Sequence, residues 1–343
     1  MSNAFTDALA SNAPLLALAP MQDVTDLAFW RVMHRYGGPD IYWTEYFRVH
    51  ADSHLERWIL DSITQNPTGR PVVAQMIGND IPSLCRTALE LQRHPVAAID
   101  LNLGCPAPIV YRKCAGGGLL RDLPKIDAIL GALRDAVSIP FTVKTRIGFD
   151  NPDVFEPLLN LVERHSVDLL TVHGRTVKQM YRPGVRYDLI AEAARRLRCP
   201  VLANGNVWGA GQALEILAST GSRGLMIGRG AIRNPWLFSQ IRQRRAGQPC
   251  KLPTGREVLA YVCELWEAET TPPEFSQVQR MKKFMNFIGE GMEDADSFLH
   301  QIRRTSRAAE FFKICEDSMD HDRPMLLEPK SAQSVPESTE CAA

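Results

Sequence analysis

A cysteine held between a glycine and a proline is the first residue of this chain that could do chemistry: Asn102-Leu103-Gly104-Cys105-Pro106 follows the strand-like run Ala97-Ala98-Ile99-Asp100-Leu101. A thiol with its ordinary pKa of about 8.5 is largely protonated at neutral pH and can donate a proton. Proline stiffens the loop that carries it. No second cysteine or histidine stands at ligand spacing, so acid work suits Cys105 better than metal binding, and no metal site is expected. Other residues stand at the ends of apolar runs of the same kind: Met21, Glu45, Gln75, Lys144, His173, Asn204-Gly205-Asn206 and Gly228-Arg229-Gly230.

Each of these types narrows the chemistry. A lysine pointing into a barrel mouth is costly unless it meets an anion or an electron-rich ring. A flavin N1–C2=O edge, which gains negative charge on reduction, is one such partner for Lys144. A Schiff-base carbonyl is a second reading, and an exposed structural lysine a third. His173 could donate to the same ring or to a substrate carbonyl, or be satisfied structurally. The Gln75 amide can pair with a pyrimidine-like ring edge. The turns at Asn204-Gly205-Asn206 and Gly228-Arg229 offer backbone N–H groups to a phosphate, with Arg229 adding charge; read singly, each is also an ordinary glycine turn.

The elements that must position these residues follow from periodicity. Eight short apolar runs begin near Leu15, Ile41, Pro71, Ala97, Ile139, Asp168, Pro200 and Gly224, separated by stretches of helical spacing such as 83–93, 124–136, 154–165 and 211–219. This alternation predicts an α/β chain with a (β/α)8 TIM barrel over 15–245, its polar strand ends facing one bowl. A doubly wound open sheet would favour a GxGxxG turn after the first strand, and Ala19-Pro20-Met21-Gln22-Asp23 offers none. A helix after Asn234-Pro235-Trp236 closes the barrel. Residues 250–317 lack strand alternation and predict a small all-helical C-terminal domain, with helices over 257–267, 277–287 and 297–316. Residues 1–14 read as a flexible arm. The Pro-, Ser- and Glu-rich stretch 320–343 reads as disordered.

Composition bounds the function classes. Of 343 residues, 39 are Lys or Arg and 39 are Asp or Glu, so no global field draws the chain to nucleic acid and any polyanion site must be local. Eight cysteines without a CxxC pair argue against a disulfide framework and for the reducing cytoplasm. No apolar run reaches the length of a membrane span, and the first residues lack the basic start of a secretory signal.

The motifs together resemble the tRNA-dihydrouridine synthases over roughly residues 15 to 317. The carriers are Ala19-Pro20-Met21, Asn102-Leu103-Gly104-Cys105-Pro106, Gly117-Gly118-Leu119-Leu120, Lys144-Thr145-Arg146-Ile147-Gly148, His173-Gly174-Arg175-Thr176, Ala203-Asn204-Gly205-Asn206-Val207 and Met226-Ile227-Gly228-Arg229-Gly230. The resemblance implies an FMN enzyme that uses NADPH or NADH to reduce uridines in tRNA, with hydride passing from flavin N5 to uracil C6 and Cys105 giving the proton to C5 of a flipped-out base. It implies FMN contacts from Pro20, Met21, Gln22, Gln75, Lys144, His173, Asn204, Gly205, Asn206, Gly228 and Arg229, and an Asn102 that orients base or flavin. The helical domain then supplies a tRNA surface, with Arg280, Lys282, Lys283, Arg303 and Arg304 as its phosphate contacts. Gln22 stands where the family commonly has a small residue. The stretches Asn206-Val207-Trp208 and Arg280-Met281-Lys282-Lys283 lean toward the C-type bacterial subgroup. A monomer with no membrane contact is expected.

Three other functions fit parts of the pattern. A dihydroorotate or dihydropyrimidine dehydrogenase would need no basic helical appendage. A non-catalytic RNA-binding barrel would have no use for Cys105, Lys144 and His173. A Schiff-base aldolase would use Lys144 without a flavin.

Overall fold

In the computed structural model the described residues are 4–182, 184–269 and 272–329. Nine parallel strands form the sheet: β1 (Leu15–Leu18), β2 (Ile41–Trp43), β3 (Phe47–Arg48), β4 (Val72–Ile77), β5 (Ala98–Leu103), β6 (Phe141–Arg146), β7 (Leu169–His173), β8 (Val201–Asn204) and β9 (Gly224–Ile227). β1 pairs with both β2 and β9, and β2 pairs with β4, so the sheet closes on itself. β3 continues the edge of β2 along β4, with Phe47 opposite Met76. The result is the eight-stave (β/α)8 barrel expected from the run spacing, and closure excludes the open doubly wound sheet.

Helices follow the strands where apolar spacing and caps place them. Asp26, Asp80 and Asp122 each accept a backbone N–H at the start of Leu27–Arg35, Ile81–Leu91 and Leu123–Ala136; such caps satisfy amides that the helix itself cannot. Inside the barrel, Leu15, Ala17, Ile41, Trp43, Val73, Ala98, Leu169, Leu202 and Met226 form one apolar cluster. Strand side chains alternate between faces. Glu45, Gln75, Asp100, Asn102, His173 and Asn204 therefore lie on that same inward face, nearer the C-terminal strand ends.

The expected loose arm is corrected in part. Residues Ala4–Ala10 form a helix whose Phe5 is fully buried in the barrel cluster. Arg223 donates to the carbonyls of Ala8, Leu9, Ser11 and Ala13, satisfying the end of that helix.

The chain divides into two compact units, one of residues up to 207 with 213–228, the other of 208–212 with 229 onward. The second carries the helices Arg229–Arg233, Leu237–Arg245, Gly255–Ala268, Glu274–Ile288, Ala295–Arg304 and Ala308–Met319. The expected helix over 297–316 is two helices. Between them Thr305 is buried and donates to Glu310, while Glu274 of another helix accepts from the Ala308 amide at 2.7 Å and caps the new start. Residues 320–329, expected as disordered, pack here: Leu327 is buried, and the Met325 amide donates to the Pro253 carbonyl. The rest of that stretch, 330–343, lies outside the described residues.

Candidate active site

The loop after β5 is fixed by its own asparagine. Asn102 Oδ1 accepts the amides of both Gly104 and Cys105 at 2.9 Å, turning the chain at once so that Cys105 stands at the strand end. Gly104 allows the close pass beneath, since a Cβ there would meet the Thr145 backbone at 3.3 Å. Arg146, almost fully buried, donates from Nε to the Gly104 carbonyl at 2.9 Å and from Nη1 to the carbonyls of Thr176 and Met180, tying this loop to the one after β7. Burial raises the Cys105 thiol above its usual pKa, so it is protonated at neutral pH. Tyr46 lies beside it, its phenol pushed up to about 12 by burial and by that thiol.

Lys144 pairs in register with Asn102 across β5 and β6 and reaches Asn204 Oδ1 at 3.4 Å. Burial, assisted by Arg146, lowers its ammonium to about 8. Asn204 is itself held by donation from Nδ2 to the Met226 carbonyl at 2.7 Å. His173 is buried, with Nε2 3.3 Å from Arg175 Nη1. A guanidinium only donates, so Nε2 accepts in this contact. After β8, Gly205 (φ 128°) and Asn206 (φ 48°) turn in succession, and Tyr187 donates to the Gly205 carbonyl.

Across the mouth, Thr25 Oγ1 accepts the Met21 amide at 2.8 Å and fixes the Pro20-Met21-Gln22 turn. Met21 packs against Gly228, where a Cβ would come within 3.1 Å of its sulfur. Both amide atoms of Gln22 are buried without a hydrogen-bond partner among the described residues. Glu45 accepts the Val24 amide, and burial raises its carboxyl to about 8. The barrel thus gathers Met21, Gln22, Gln75, Asn102, Cys105, Lys144, His173, Asn204, Gly205, Asn206 and Gly228 at its C-terminal strand ends. Arg229 belongs to the second unit, where its guanidinium lies 4.8 Å from the Trp208 ring centroid.

Sequence reasoning passed over Asp100, Tyr46 and the structural role of Arg146. Asp100 could have been found as a charged residue inside an apolar run, two positions before Asn102 and so on its face. Within the helical unit, Lys283, Arg303 and Arg304 are exposed and Lys282 is half-buried, its Nζ donating to the Arg303 carbonyl. Arg280 is different: its Nε donates at 2.8 Å to Glu269, which is 5% exposed.

Known proteins share this chain's sequence pattern and its barrel fold. A family model described as dihydrouridine synthase (Dus) matches residues 17–320. The tRNA-dihydrouridine(16) synthase of Neisseria meningitidis serogroup A is 29% identical over 317 residues, covering 90% of this chain and 95% of that protein. A probable tRNA-dihydrouridine synthase of Rickettsia conorii is 33% identical over 266 residues, covering 76% of this chain and 78% of its own. Among solved structures, TcOYE with pHBA shares the barrel fold at 10% identity and a TM-score of 0.50, over 69% of this chain and 93% of that one. Since the family match runs from β1 through the last helix of the second unit, the chain belongs to the dihydrouridine synthase family.

Proposed function

We propose that this protein reduces a uridine of tRNA to 5,6-dihydrouridine, with FMN as cofactor, NADPH or NADH as reductant and Cys105 as the acid. The observation that carries the reading is a protonated, half-buried thiol and a desolvated ammonium on adjacent strand ends of a family-matched barrel. The residues fit a flavin: the unpartnered Gln22 amide and the desolvated Lys144 charge both call for a polar ligand. Gln22, Gln75, Lys144, His173, Asn204, Gly205, Asn206 and Gly228 would hold it, with Pro20 and Met21 against the ring, and Arg229 keeps its sequence-based assignment to the phosphate. FMN, when bound, would supply the hydride for uracil C6, with NADPH or NADH as the reductant.

The chain's own residues do the rest. Lys144, still largely protonated at neutral pH, meets negative charge at the pyrimidine edge of the cofactor. Cys105 holds a proton on Sγ and delivers it to C5 of the base. Asn102 orients base or cofactor with the one Nδ2 hydrogen that its other contacts leave. Lys282, Lys283, Arg303 and Arg304 offer cations to tRNA phosphates. The Neisseria relative is named for position 16, so we take that nucleotide as the target. The protein acts in the cytoplasm as a monomer, and no described helix is long and apolar enough to cross a membrane.

Flavin absorbance of the purified protein, and mass spectrometry of tRNA incubated with wild type and Cys105→Ala, test this. Flavin bands and a loss of turnover of at least about 100-fold in the variant are expected. A protein that cannot be loaded with FMN overturns the cofactor, and a fully active variant overturns the acid.

A further inference from the structure

A fully buried carboxylate lies beneath the site with no part in the proton transfer. Asp100 stands in register between Gln75 on β4 and Thr142 on β6. Its Oδ1 meets Thr142 Oγ1 at 2.5 Å, and its Oδ2 accepts from Gln75 Nε2 at 2.7 Å. Gln75 Oε1 in turn accepts from Asn102 Nδ2 at 2.8 Å. Asn102 Oδ1 then accepts the amides of Gly104 and Cys105.

The direction of every bond in this chain is forced. A backbone N–H can only donate, so the atom of Asn102 facing the Cys105 loop is its oxygen, and its nitrogen faces Gln75. Gln75 must answer with its own oxygen, which leaves its nitrogen facing Asp100. Only an acceptor closes the series there. Burial raises the Asp100 carboxyl to about 6, while the bonds from Thr142 and Gln75 hold it down, so the acceptor form prevails at neutral pH.

We propose that Asp100 is a positioning residue that anchors Gln75 and Asn102 as one relay, so that the amide facing the cofactor and the loop carrying the acid thiol are set by a single buried anchor. This rests on the reading of Gln75 as a flavin contact and Cys105 as the acid. The relay commits both lone pairs of Asn102 Oδ1, so any base or cofactor meets Asn102 as a donor only. Asparagine at position 100 can keep its oxygen toward Gln75 and turn its nitrogen to the Thr142 hydroxyl. Leucine cannot, and leaves the Gln75 nitrogen buried and unpaired.

The test is a cycle of Asp100→Asn, Asp100→Leu, Gln75→Leu and the double variant Asp100→Leu/Gln75→Leu, read by quenching of FMN fluorescence on binding. Asp100→Leu should bind FMN about tenfold more weakly, the usual consequence of one orphaned buried donor. Asp100→Asn should lie within about twofold of wild type, and the double variant within about twofold of Gln75→Leu, because Asp100 acts through Gln75. Additive losses, or Asp100→Leu binding as wild type does, overturn the proposal. Should Asp100→Leu not fold, Asp100→Ser reads the same coupling, since its hydroxyl falls short of Gln75. A second arm uses flavin-free protein and the rate of Cys105 alkylation by iodoacetamide against pH. The profile should shift in Asp100→Leu or Asp100→Ser and be restored in Asp100→Asn; coincident profiles sink the relay. Failure of wild type to take FMN removes the cofactor reading alone, and the alkylation arm then decides Asp100.

Discussion

Replacing Lys144 with methionine separates what this residue costs the fold from what it gives a ligand. Burial, with the nearby Arg146 charge, lowers its ammonium from 10.5 to about 8, against the opposing pull of Asp100 and Cys105. A shift of that size corresponds to about 3 kcal/mol. Partial exposure of the side chain screens the effect and leaves about 1–2 kcal/mol to be gained by removing the charge. Below about pH 8 the folded and unfolded chains both hold the proton, and the penalty is complete. Between there and pH 10.5 the unfolded chain holds more protons than the folded one, so wild-type stability rises with pH through that window. Flavin-free Lys144→Met should therefore exceed wild type by about 1–2 kcal/mol in urea unfolding near pH 7, and the margin should shrink near pH 10. The same variant should bind FMN at least about tenfold more weakly, because the charge meant for the ligand is gone. A flavin-free variant less stable than wild type near pH 7, or a margin indifferent to pH, refutes the reasoning.

Other substitutions probe the remaining supports. Glu45 carries a carboxyl raised from 4.5 to about 8 by burial, so wild-type stability falls as pH climbs through that window. Glu45→Gln should match wild type at the acid end and exceed it above about pH 8 by more than about 1 kcal/mol, as denaturant titration at the two ends will read. Gly205→Ala places a Cβ on a φ of 128°, 3.1 Å from Val185 and 3.2 Å from His173; a loss of about 2 kcal/mol is expected in thermal unfolding, against a smaller loss for Gly221→Ala, where nothing lies within 4 Å. Arg280→Ala should cost about 3 kcal/mol by stranding Glu269. Lys283→Ala should lower the salt dependence of tRNA binding by about one counterion.

How much was legible depends on whether the signal was local. The strands were readable because short apolar runs recur between stretches of helical spacing, and the candidate site residues because they close those runs. The Gln75–Asp100–Thr142 row was not, since it exists only once three strands are aligned and no window of sequence contains it. The break at Thr305 was hidden for the same reason: its cap comes from Glu274, and helical periodicity runs straight through. The basic residues of the helical unit were read as equals, but the burial that binds Arg280 to Glu269 and spares Lys283 is a tertiary property.

The hook between Arg223 and the helix Ala4–Ala10 spans more than two hundred positions, with Arg223 Nη2 reaching the Ala8 carbonyl 215 residues away. Phe5 completes the floor of the barrel, in the same cluster as Leu15 and Ala17 of β1 and Met226 of β9. That floor cannot consolidate until β9 has joined the sheet, and closing so long a loop is slow. The first helix of the chain is thus expected to lock only once its most distant strand is in place. By the same logic it is the first to open, so native-state hydrogen exchange at residues 4–10 would report the integrity of β9 at the far end of the barrel.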